Sequence, residues 1–157
     1  MISTELARAL RDSGLRWNPV SGDKFRIDLV EADDELFVFS DMTVEAHEFA
    51  TGTVIGFNGT TEWALDSVGL EETLWMPHEY QLRELLGPAF RSLTARGDED
   101  FVVEAVIDGE PRFFESDVAS NAYARALLAL LDSLTSEDSL TSEDARASED
   151  SFRSETD

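Results

Sequence analysis

The sequence predicts an α+β domain over residues 1–132, ordered as an N-terminal helix, an antiparallel β-meander, a middle helix, a β-hairpin and a C-terminal helix. Three observations lead there. Short runs with period-two alternation fill residues 25–65, and stretches with helical spacing flank them. Two turn dipeptides, Asn58-Gly59 and Asp108-Gly109, stand between β-rich runs, where the tight hairpin turn needs positive φ at both central residues.

Each element has local support. Ser3 or Thr4 can cap the first helix, with Glu5 favourable in its first turn and Gly14 placed to end it. Leu6, Ala7 and Leu10 form its apolar face. Phe25, Ile27 and Leu29 alternate with Arg26 and Asp28, so this strand buries one face. Leu36–Phe39 is apolar on both faces and reads as a central strand. Thr43–Phe49 is a more polar strand, and residues 54–57 pair with 61–65 across Asn58-Gly59, giving five strands in all. Pro77 suits the first position of the middle helix. Leu82, Leu85 and Leu86 make its buried stripe, and Gly87-Pro88 ends it. Phe90 and Leu93 extend this as a short helical turn. Phe101–Ile107 and Arg112–Phe114 form the hairpin across Asp108-Gly109. Ser116 or Asp117 can cap the last helix, whose buried line runs Ala119, Tyr123, Ala126, Leu127, Leu130, Leu131.

Residues 133–157 differ in kind. Ser133-Leu-Thr-Ser-Glu-Asp recurs as Ser139-Leu-Thr-Ser-Glu-Asp and then decays, with a period of six. So polar a stretch has too little apolar surface to offset the entropy of ordering, and a disordered acidic tail is expected. The tail does not account for the charge of the chain. The net charge is −22, while residues 134–157 hold eight acids against two arginines. The body is therefore strongly acidic in its own right. Such a field repels phosphate backbones and anionic lipid, so direct nucleic-acid binding is not expected, whereas a basic protein partner would be drawn in.

Several chemistries lack support. There is no cysteine, so disulfides, thiolate metal sites and a cysteine nucleophile are excluded. The longest apolar run, Ala126–Leu131, is too short to span a bilayer, and the charges within residues 1–14 are unlike a secretory signal. No membrane insertion and a cytoplasmic location are expected. No Gly-rich turn opens a helix, and Gly-x-Ser-x-Gly is missing. The two histidines, His47 and His78, have carboxylate neighbours but no ligand spacing. We assign no catalytic residue, no metal ligand and no cofactor.

The most distinctive stretch runs from Asn58 to Gly87. It brings together Trp63, Trp75, Met76, Pro77, His78, Tyr80 and Arg83, a composition typical of interface hot spots as well as of a sheet–helix core. These seven are the candidate partner-binding residues. Residues 54–67 and the run Leu74-Trp-Met-Pro-His-Glu-Tyr-Gln-Leu-Arg-Glu-Leu-Leu-Gly, with Leu15-Arg16-Trp17 and Gly22-Asp23-Lys24-Phe25, resemble a family of small actinobacterial proteins often labelled "pilus assembly protein". The resemblance covers about residues 1–132. It implies an accessory role in pilus assembly and carries over no catalytic residue.

Three functions follow as expectations. The first is a non-enzymatic protein–protein interaction domain serving as an accessory or regulatory factor. The second is an acidic inhibitor, such as an immunity protein or antitoxin covering a basic active site. The third is a small enzyme whose site assembles from His47, His78 and carboxylates.

Overall fold

The computed structural model describes residues 1–28, 35–40, 44–49, 52–57, 67–98 and 100–153. The fold is α+β, with helices at both ends of the order. Helix α1 spans Thr4–Asp12. Ser3 is its N-cap, and its hydroxyl accepts from the Leu6 N–H at 3.3 Å. Gly14 follows the helix with φ +95°, a conformation that admits glycine readily.

Among the described residues, nine strands form three antiparallel three-stranded sheets. In the first sheet, β1 (Lys24–Ile27) lies between β2 (Phe37–Val38) and β6 (Thr73–Trp75). Phe25 faces Phe37 on one side and Trp75 on the other. The second sheet is a sequential meander of β3 (Val44–Phe49), β4 (Gly52–Phe57) and β5 (Ser67–Gly69). The third joins β7 (Phe90–Ala95), β8 (Phe101–Ile107) and β9 (Glu110–Ser116), with β8 in the middle.

The expected five-strand meander is thus divided between two sheets. β1 takes its second partner from β6, more than forty residues later in the chain, a long-range pairing that alternation cannot reveal. The central strand of that sheet is β1; among the described residues β2 pairs only with β1, and Val38 is exposed. The Asn58-Gly59 turn, Trp63 and residues 61–65 lie outside the described residues. The Asp108-Gly109 hairpin is present, with φ of 56° and 79° at its central residues.

Residues 90–95 correct another expectation, for they form strand β7 instead of a helical turn. The register shifts between Phe90 and Ser92. This irregularity brings Phe90 and Leu93, three apart, to the same core. In the sequence that spacing imitates a helix.

Helix α2 spans Glu79–Leu86. His78 is its N-cap, so Pro77 precedes the cap and is buried instead of occupying the first helical position. Leu82 and Leu86 are buried, but Leu85 is exposed, which narrows the expected stripe. Gly87 ends the helix with positive φ.

Helix α3 spans Ala119–Arg153, well past Asp132, where the sequence pattern ends the last helix. Its first bond is accepted by the Val118 carbonyl, and neither Ser116 nor Asp117 is the cap, because β9 continues through Ser116. The first three turns of α3 are buried almost all round, between α1, α2 and the third sheet. Small side chains at Ala122, Ala124 and Ala126 permit that close approach on several sides. Leu128 to Leu131 still pack on the core, whereas Leu134 is 51% exposed. Among the residues whose side chains are described, packing on the core thus ends near residue 132, while the helical backbone continues.

The main core joins α1, β6, α2, β8 and α3 through Leu10, Leu74, Leu82, Val103 and Leu127. A second cluster gathers Phe25, Phe39 and Val68, with Trp17, Ile27 and Phe37 against it. No helix among the described residues is long and apolar enough to cross a membrane.

Candidate functional site

A cleft of about 270 Å³ opens between α1, the segment that follows it, and β6. Its apolar lining comes from Ala7, Leu10, Leu15, Leu74 and Pro77. Trp17 and Trp75 add two indole rings, nearly parallel at an interplanar angle of 6° with centroids 6.5 Å apart. Trp17 also meets Phe25 at 5.4 Å and Phe39, edge-on, at 6.5 Å. An aromatic cluster thus backs the two indoles. The Trp75 indole N–H is buried and has no acceptor among the described residues.

The cleft's charged groups have different tasks. Arg11 is held by Asp28 at 2.6 Å and by Asp12 at 3.3 Å. Arg8 also donates to Asp28, through Nε at 3.0 Å and Nη2 at 2.7 Å. The Arg8 hydrogen bonds hold the Asp28 carboxyl below its ordinary range; partial burial opposes this, and Arg11 adds to the lowering. Arg11 is raised, chiefly by its hydrogen bond to Asp28. Arg16 lines the cleft, is exposed, and makes no ion pair among the described residues. Glu71 also lines the cleft and is exposed.

Behind Trp17 lies a buried carboxylate. Asp23 is 1% exposed. Its Oδ2 accepts from Trp17 Nε1 at 2.8 Å and from the Val20 N–H at 3.0 Å. Its Oδ1 accepts from Gln81 Nε2 at 2.6 Å. The Gln81 amide oxygen in turn accepts from the His78 N–H at 2.8 Å, at the start of α2. Every donor here points toward Asp23 or toward Gln81, and a buried carboxylate is tolerable because its oxygens are so supplied.

The sequence-predicted residues fall in different places. Trp75 and Pro77 line the cleft. Met76 is 1% exposed, belongs to the main core and does not line the cleft. His78 caps α2, with Nε2 lying 3.2 Å from the Gly22 carbonyl, and its ring stacks on Tyr80. Tyr80 is exposed, and Arg83 sits over the Phe90 ring at 5.0 Å. Trp63 lies outside the described residues. Trp17, Arg16 and Asp23 were not among the candidates, although they lie in the stretches Leu15–Trp17 and Gly22–Phe25 quoted from the sequence above. The fold brings those stretches together: Trp17 meets Trp75, Gly22 meets His78, Asp23 meets Gln81, and Phe25 pairs with Trp75.

No group of three or more His, Asp or Glu side chains among the described residues is arranged to hold a metal ion. No family model, curated protein or solved structure matches the chain.

Proposed function

We propose that this protein is a non-enzymatic interaction domain, a cytoplasmic accessory or regulatory factor, whose α1–β6 cleft receives a bulky apolar side chain from a basic protein partner. The observation that carries this reading is the cleft itself. It sets two tryptophans beside an apolar floor at the edge of a core, a residue type that dominates interface energetics when it surrounds a desolvated anchor. Its volume of about 270 Å³ suits a single large side chain better than an extended cofactor. The net charge of −22 supplies the second criterion, since long-range attraction favours a cationic partner and raises the association rate. An accessory role also accords with the family resemblance. The proposed contact set is thereby Trp17 and Trp75, with Tyr80 outside the cleft.

Selection of peptides from a displayed random library against the full chain tests the proposal. The expected binders are basic segments with one aromatic or large aliphatic anchor, weakened by Trp75→Ala and by added salt. Binders that perturb only the NMR resonances of residues outside the cleft would remove it from consideration.

A further inference from the structure

We infer that Asp23 is the positioning residue of the cleft, linking the start of α2 to the orientation of Trp17; its consequence for affinity rests on the reading of the cleft as a binding site. Asp23 does not line the cleft. It acts from behind, by accepting the Trp17 indole N–H while Gln81 holds its other oxygen.

The polarity of this chain of hydrogen bonds is fixed at both ends. The His78 N–H can only donate, so the Gln81 oxygen must face it and the Gln81 NH₂ must face Asp23. The Trp17 indole and the Val20 N–H can only donate, so both require an acceptor at the other oxygen. Three donors therefore converge on one small buried side chain. An ionised carboxylate accepts at both oxygens; an amide of the same shape does not. With Asp23→Asn, the NH₂ faces either Trp17 and Val20 or Gln81, a donor against a donor in both orientations. Rotating the Gln81 amide only moves the conflict to the His78 N–H.

This reasoning specifies a rescue. Combining Asp23→Asn with Gln81→Glu keeps the net charge and reverses one link. The new carboxylate accepts from the His78 N–H and from the new amide, whose oxygen then accepts from Trp17 and Val20. Ordinary loss of packing has no reason to be repaired by that second change.

The test uses the full chain as wild type, Asp23→Asn and the double variant. The first readout is the indole ¹H–¹⁵N resonance of Trp17 without ligand, assigned with Trp17→Phe, and its protection from hydrogen exchange. We expect protection in the wild type, its loss in Asp23→Asn, and its return in the double variant. The second readout is affinity for a selected basic peptide, expected to fall about tenfold or more in Asp23→Asn and to recover in the double variant. If Asp23→Asn does not fold, the double variant decides, and recovery of both fold and Trp17 protection supports the inference. Unchanged protection in folded Asp23→Asn, or a double variant that does not restore it, overturns the inference. Loss and rescue of protection with no change in peptide affinity supports the positioning role and counts against the cleft as the binding site.

Discussion

Replacing Trp17 by phenylalanine isolates one interaction in the buried network. The substitution removes the indole N–H that lies 2.8 Å from Asp23 Oδ2 but keeps a ring against Phe25 and Trp75. A hydrogen bond to a charged group contributes about 1.5–3 kcal/mol, and after its loss the buried Oδ2 keeps only the Val20 N–H at 3.0 Å. The lost part of the half-buried indole adds about 1 kcal/mol of apolar burial. The expected destabilisation is therefore about 2–4 kcal/mol, a large share of the roughly 5–15 kcal/mol typical of a whole domain. At about 2–4 °C per kcal/mol for a chain of this size, Tm should fall by about 5–15 °C. Urea unfolding followed by far-UV circular dichroism measures it, with the midpoint lowered and the slope unchanged. A change below about 0.5 kcal/mol, the range of ordinary surface substitutions, would refute the account of Asp23 as a carboxylate held by Trp17.

The Arg8–Asp28–Arg11 cluster predicts an acid-limb effect. Because the folded-state pKa of Asp28 is lowered, its stabilisation is present above the unfolded carboxyl pKa of about 4 and is lost as pH falls through the lower native value. Asp28→Asn should therefore reduce stability at neutral pH, and the gap from wild type in urea midpoints should narrow toward pH 2. Removing residues 137–157 should leave a folded domain with Tm within about 3 °C of the full chain, since among the α3 residues whose side chains are described Leu131 is the last packed on the core and Leu134 is exposed. A calorimetric scan of the truncated protein checks this, and a large drop would show that the distal part of α3 contributes to the fold.

Much of the local structure was legible because its causes are local. Ser3 caps α1 through its own hydroxyl, and Asp108-Gly109 reverses the chain through residues that tolerate positive φ. Helical spacing finds the burial of Ala119, Tyr123, Ala126 and Leu127 on α3, but not that of Ser120, Ala122 and Ala124, which only the surrounding elements impose. Strand β7 was missed because its irregular register converts a strand pair into an i, i+3 pattern. The site was only half legible. Trp75 and Pro77 drew notice by residue type, while Trp17 lay in a segment with no periodic pattern, and Asp23 looked like one more acid in an acidic chain. Met76 had the composition of an interface residue and the position of a core residue.

The sequence by itself determined the α+β class, the two terminal helices, the hairpin, the absence of cysteine chemistry and an acidity that extends well beyond residues 134–157. These depend on period, turn chemistry and composition, which act over a few residues or over the whole chain at once. The tertiary structure alone decided that β1 pairs with β6, that Trp17 faces Trp75, and that the Asp23 carboxylate is buried among three donors. The pairings of β1 with β6, Trp17 with Trp75 and Asp23 with Gln81 join segments about fifty to sixty residues apart, where neither propensity nor spacing carries information and only the shared core brings the partners within reach.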